Sequence, residues 1–291
     1  MIEKNTIGTH MVLSGEETIS KLSVLGIGPF GQSVAHFLKK SIPELPVFHV
    51  IDSHESITNQ QHTSTDLVES LKTTLPKKSL CLIIIDQQWG KSVEHLKNIS
   101  KKIADHNIIK VGVLISKCTS DVSANQIHNA IKDNVDGVIM LNISNRRECV
   151  SVDEKYIDIA NQLRPWIEML TIPQSITIEV EDLESFFKNG KVAIMTSGIG
   201  EGEDRLQKAI TNAHSSVLFE CKEVCEAKNV LIYVDTLGQL RFPELRQLNS
   251  LANAIYGEQS NIIIAVAKSN ASEKYGPIRL NQLVNIGDKL S

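Results

Sequence analysis

Apolar runs alternate with amphipathic stretches through the first half of this chain: LSVLGIG then QSVAHFLKK, VFHVID, LCLIIID then VEHLKNISKKIADH, KVGVLIS then ANQIHNAIKDN, and DGVIMLNI. A run made almost wholly of Val, Ile and Leu has no polar face to offer water. Each such run therefore reads as a strand buried on both sides, which requires a parallel sheet covered by helices on both faces. Residues 21–152 are accordingly expected to form a doubly wound, Rossmann-like α/β domain, preceded by a polar arm over residues 1–20. Next, residues 153–172 place Tyr156, Ile157, Ile159, Ala160, Leu163, Ile167 and Leu170 on one broad apolar face, a long helix that Pro165 should kink or end near Arg164. The order then changes to strand, helix, and strands at 229–236, 261–268 and 278–286 around one helix at 243–257. That pattern predicts a smaller mixed α/β domain over residues 173–291, with Val192–Gly198 in a different sheet from Val24–Gly26.

With 291 residues and 42% hydrophobic content, the chain can bury a core for two domains. A net charge of -4 gives no broad basic field, so neither nucleic acid nor an anionic membrane is an expected partner. The longest apolar run, Leu80 to Ile85 with its flanks, is far short of the roughly 20 residues that a bilayer span needs, and no membrane insertion is expected. The first twenty residues contain no apolar h-region and do contain acids, which points to the cytoplasm. Five cysteines make an odd count without framework spacing; Cys221 and Cys225 lie four apart with no second Cys or His pair, so no metal site is expected. The histidines form no triad or metal pair.

Gly26-Ile-Gly28-Pro-Phe-Gly31 follows a predicted strand and opens a helix, continuing into Gln32 and Ser33. In that context glycines let backbone N–H groups approach a phosphate at the helix N-terminus. Asp52 ends the next strand, where a dinucleotide fold carries its ribose-binding acid, so Gly28, Gly31 and Asp52 support an NAD-binding reading. A tight turn that simply requires glycine accounts for the same spacing. Pro29 has no N–H to donate, and Phe30 adds bulk inside the loop. Gly90-Lys91-Ser92 matches the end of a Walker A loop, but the first glycine of that motif would fall on Ile85, so the match fails. Lys91 can offer one positive charge to an anion or sit solvated at a helix start.

Residues 171–205 form one linked unit: TIPQSITIEVEDLESFF, a Lys-Asn-Gly turn, the strand VAIMTSGIG, then EGEDR opening a helix. This resembles the synergy-loop region of the FtsZ/tubulin family, where T-V-P-G-L-I-N-x-D-F-A-D-V runs off a long central helix and a later strand leads into S-G-E-D-R. The resemblance extends to KLSVLGIGPFGQSVAHFL as the first strand, glycine loop and helix, to VFHVID as the second strand, and to VLIYVDTLGQLRFPELRQLNSLANAI as the strand and helix carrying G-x-D-L-x-L-x-E. It implies a nucleotide domain joined by a central helix to a smaller domain, GTP or GDP as the cofactor, and head-to-tail association. It also implies that Glu179 and Asp182 are the two loop acids that reach into a neighbouring subunit's nucleotide site. Thr177 falls on the family's asparagine.

Between those blocks the chain departs from the family. The phosphate loop G-G-G-T-G-T-G becomes Gln87-Gln88-Trp89-Gly90-Lys91-Ser92, with one glycine. Ser33 stands for an asparagine, the base-reading acid falls near Tyr156 or Ile157, and NISNRRE replaces the N-D after the sixth strand. The sequence thus predicts an FtsZ/tubulin-like structural or assembly protein with an eroded GTP site and no GTPase activity. It would associate with itself or another FtsZ-family protein, with Glu179 and Asp182 meeting Lys91, Arg146 and Arg147. The alternatives are an unorthodox GTPase that binds nucleotide through Gly26–Ser33 with Glu179 and Asp182 as its catalytic acids, and the NAD-binding reading. In the bland reading those acids, with Glu181 and Glu184, only complement a helix dipole. Because Ser291 closely follows the last predicted strand, any membrane attachment is expected to use a surface other than the family's terminal peptide.

Overall fold

The computed structural model describes residues 21–50, 69, 71–76, 78–104, 107–116, 122–142, 151–171, 174–188, 192–215, 227–236, 240–267 and 276–287. Strand β1 (Leu22–Ile27) leads into helix α1 (Gly28–Ser41) and β2 (Val47–Val50). Then follow β3 (Leu80–Ile85), α2 (Ser92–Lys102), β4 (Ile109–Ser116), α3 (Val122–Ile131) and β5 (Gly137–Asn142). Helix α4 (Val152–Thr171) leads to β6 (Gln174–Ile176), α5 (Val180–Lys188), β7 (Val192–Gly200), α6 (Arg205–His214), β8 (Asn229–Thr236), α7 (Phe242–Tyr256), β9 (Asn261–Ala267) and β10 (Ile278–Gly287).

The apolar runs pair as expected, with β1 through β5 forming parallel ladders in the order β2-β1-β3-β4-β5. Alternation along each strand sends residues to two separate cores. On β3, Leu80, Leu82 and Ile84 pack with Val34, Ala35 and Leu38 of α1 and with Ile159, Leu163 and Ile167 of α4. Its intervening Cys81, Ile83 and Ile85 pack on the other face with Leu96 and Ile99 of α2 and Ile131 of α3. Both faces are therefore dry, which is why these strands carry no polar alternation. A third core joins α6 and α7 to strands of the second half through Ile210, Ala213, Leu248 and Tyr256.

Two expectations are corrected. First, Val192–Gly198 does not lie in a different sheet from Val24–Gly26: β7 pairs parallel with β5 and antiparallel with β10, giving one ten-stranded sheet in the order β2-β1-β3-β4-β5-β7-β10-β8-β9-β6. The first four residues of β7, Val192, Ala193, Ile194 and Met195, are buried, so an apolar run that pattern alone assigns to a new sheet is the seam joining both halves. Second, α4 does not end near Arg164 but runs through Pro165 to Thr171. Proline in a helix interior costs about 3 kcal/mol. Here Pro165 is buried beside Trp166, Ile167 and Met169, and the apolar surface covered along that stripe offsets the lost backbone hydrogen bond.

Candidate functional site

The strand order reverses direction at β1: the chain leaves β1 for β2 on one side and returns to β3 on the other. Loops leaving the C-terminal ends of β1 and β3 therefore diverge, and the crevice between them is where open α/β sheets bind ligands. The glycines singled out in the sequence converge there. A Cβ on Gly26 would lie 2.5 Å from the Gly31 carbonyl oxygen, and one on Gly31 would collide with the Ile84 carbonyl, so β1, α1 and β3 meet through bare backbone. Gly28, at φ +78°, turns the chain from strand into helix.

The loop following β3 occupies this crevice. Asp86, buried, donates its backbone N–H to the Ile27 carbonyl (2.9 Å) and accepts the Ser92 hydroxyl on its own carbonyl (2.6 Å). Its carboxylate accepts the N–H groups of Phe30 at 3.0 Å, Gln88 at 3.0 Å and Trp89 at 3.3 Å. Gly28 faces the same residues: a Cβ there would lie 2.7 Å from Asp86 Cβ and 2.8 Å from Trp89 Cε3. The Trp89 ring in turn stacks on His95, with centroids 5.1 Å apart and planes 8° from parallel, and Gln87 Oε1 accepts the Ile115 N–H at 2.9 Å.

On the other side of the turn, Phe30 packs edge-on against Tyr156 of α4, centroids 5.5 Å apart, at the position the resemblance gives to base recognition. Ser33 donates its hydroxyl to the Pro29 carbonyl, and Gln32 lies half-buried beside it. Lys91 is exposed at the N-cap of α2, and Gly90 has open space where a side chain would sit. Asp52, Arg146, Arg147, Cys221 and Cys225 fall outside the described residues.

Glu179 and Asp182 stand beyond the far end of α4, whose 20 residues span about 30 Å. They are not brought to this chain's own glycine turn. The Asp182 carboxylate accepts the Glu179 backbone N–H at 2.8 Å, a helix-capping bond at the start of α5. Glu179 pairs with Lys21 at 2.6 Å, and that bond holds the Lys21 ammonium above its ordinary pKa. Nearby, Lys78 reaches Glu181 at 3.4 Å and Lys110 reaches Asp136 at 3.1 Å.

One polar cluster joins residues that the sequence shows only separately, at two helix starts. Arg205, 1% exposed, donates Nε and Nη2 to the two Glu244 oxygens at 2.9 and 3.0 Å and Nη1 to the Gly276 carbonyl at 2.6 Å. Glu244 also accepts the Arg241 backbone N–H at 2.8 Å and the Arg241 guanidinium at 3.1 Å, capping α7. Burial alone would raise the Glu244 pKa. The hydrogen bonds from Arg205 and Arg241 outweigh it and bring the carboxyl down to about 2. An arginine opening one helix and a glutamate in the first turn of another were the available hints, but nothing in the sequence links positions 39 apart.

A parallel half with a glycine turn at its switch point, a long helix laid across the sheet and a second half of mixed parallel and antiparallel ladders together define the FtsZ/tubulin fold. Comparisons agree. The chain superposes on an empty FtsZ dimer from M. jannaschii with a TM-score of 0.71 at 14% identity, covering 93% of this chain and 89% of that one. Against the GTPgS-bound protofilament of CetZ2 from Haloferax volcanii the TM-score is 0.64 at 13% identity, with 92% of each chain covered. In sequence it is 29% identical to the cell division protein FtsZ of Porphyromonas gingivalis over 137 residues, 43% of this chain. It is 28% identical to that of Neisseria meningitidis over 133 residues, 42% of this chain. The matches span 29% and 34% of those relatives, and no family model matches the chain. The chain therefore has the FtsZ/tubulin fold and, over less than half of its length, a sequence similar to FtsZ.

Proposed function

We propose that this protein is a cytoskeletal, cell-division-related structural component that keeps the FtsZ/tubulin fold while its nucleotide site is closed, and that it associates without GTP. The observation that carries this reading is the loop 86–91, which fills the switch-point crevice with the chain's own groups: Trp89 against Gly28 and Asp86 on the Phe30 N–H. A phosphate needs both the space and the donors. The GTP or GDP of family members would therefore bind weakly or not at all, and hydrolysis through Glu179 and Asp182 would have no substrate. The unorthodox GTPase and the NAD reading would both require this loop to move away from Gly28; the NAD reading also depends on Asp52.

Association is proposed to run head to tail, with copies of this chain or with another FtsZ-family protein. An empty FtsZ dimer and a CetZ2 protofilament among the structural relatives support self-association. The contacts of Glu179 with Lys21 and of Asp182 with the backbone mean that a direct charge match to the next subunit has to compete with bonds inside the chain. Exposed ion pairs are typically worth at most about 1 kcal/mol each and are screened by salt. Sedimentation should therefore show weak association that falls with ionic strength, falls further in a Glu179→Lys/Asp182→Lys variant, and does not respond to GTP. Assembly that requires GTP, or equal behaviour of the two proteins, overturns this proposal.

A further inference from the structure

We propose that Asp86 is an internal anion, a carboxylate held on the N-terminus of α1 in place of a phosphate group. This rests on the reading of loop 86–91 as the occupant of the crevice, and it says why that loop stays in place. Helix N-termini attract anions because their first N–H groups have no partner within the helix and carry the positive end of the dipole. Of the first three residues of α1, Pro29 has no N–H and Phe30 gives its own to Asp86 at 3.0 Å. The other carboxylate oxygen gathers the N–H groups of Gln88 and Trp89, so the carboxylate sits among converging backbone donors, as a bound phosphate would.

The glycine signature takes on a different purpose in this light. Gly28 has no room for a Cβ because Asp86 and Trp89 approach it, so the spacing associated with phosphate loops is kept to admit a side chain of the same protein. A covalently attached anion is always present and cannot be hydrolysed or exchanged. The end of the sheet carrying α1 is consequently held in one state, with no nucleotide cycle to switch it.

Phosphate should recover what removing Asp86 takes away. Thermal unfolding of wild type, Asp86→Gly and Asp86→Asn is measured in inorganic phosphate and in chloride at matched pH and ionic strength. Wild type should show the same Tm in both salts. Asp86→Gly should melt several degrees lower in chloride and regain about half of that loss at about 50 mM phosphate, since an anion that binds only the folded state stabilises it by mass action. In Asp86→Asn the carboxamide NH2 must oppose one of the three N–H groups, so amide exchange at Phe30 or at Gln88 and Trp89 should speed up by more than about tenfold, about 1.4 kcal/mol of local opening. If Asp86→Gly does not fold, the salt comparison is read on Asp86→Ala, which likewise vacates the carboxylate position. Phosphate stabilising wild type as much as the variant, phosphate failing to stabilise the variant, or unchanged exchange in Asp86→Asn each overturns the proposal. Failure of the closed-site reading itself would show differently, as GTP binding by wild type.

Discussion

Replacing Gly200 with Ala should destabilise the protein by about 3 kcal/mol or more, a Tm drop on the order of 5–10 °C for a chain of this size. In β7, Gly198 and Gly200 are the buried positions flanking exposed Ile199, and α6 lies directly against them. A Cβ on Gly200 would fall on the Arg205 carbonyl and within 2.6 Å of the Ala209 nitrogen; one on Gly198 would strike the backbone of Ala209 and Ala213. All of these obstacles are backbone, so no rotamer change relieves them and α6 must lift off the strand. Gly90→Ala is the matched control, because nothing lies within 4 Å of its Cβ position, and it should stay within about 0.5 kcal/mol of wild type. Thermal or urea unfolding of the two variants decides the matter. Similar stabilities would mean that α6 does not rest on β7 as described.

The second large effect comes from the buried ion pair. Arg205→Met should cost about 3–5 kcal/mol, because it leaves Glu244 buried with only its bonds to Arg241 and leaves the Gly276 carbonyl without the Arg205 donor. Replacing both partners should cost clearly less than the sum of the single changes, since a matched apolar pair leaves no buried charge uncompensated. The acid limb of the stability profile carries the same information. The folded-state pKa of Glu244 lies at about 2, below its ordinary value, so its contribution is complete above the ordinary carboxylate range and is lost as pH falls toward about 2. Glu244→Gln should flatten that part of the profile. Additive single and double variants, with an unchanged acid limb, would show that the pair does not hold α6, α7 and the residues before β10 together.

How much of this was legible in the sequence follows from which interactions are local. The strands β1, β3, β4 and β5 were readable because double-sided burial forces an unbroken apolar run. Helix α7 and strands β8 to β10 also lie within a residue or two of where pattern places them. The seam at β7 was not readable: VAIM is as suitable for the edge of a new sheet as for the middle of an old one, and only the ladder from Val138 to Val192 decides. The cost of Pro165 is local and visible in the sequence, while its compensation comes from packing of the whole helix.

At the site, the glycines and the shortened loop could be read directly. Asp86 could not, although it sits in plain view after LCLIII. Its role depends on β3 lying beside β1, so that an acid at the end of one strand reaches the helix that follows another. Strand order is a property of tertiary structure, and the intervening segment from β2 to β3 gives no periodic signal that fixes it. The pairing of Arg205 with Glu244 is hidden from the sequence for the same reason.

Nucleotide binding and turnover by the purified chain test the central claim most directly. GTP affinity and nucleotide content are measured alongside phosphate release across a range of protein concentrations, with NAD as a control ligand. With Asp86 and Trp89 in the crevice, the protein should carry no nucleotide, show no saturable binding of GTP or NAD, and release phosphate no faster than buffer at any concentration. Release that climbs with protein concentration and falls when Asp182 is replaced by Ala would contradict the account, because it would require an open cradle on one subunit and a working acid on the next.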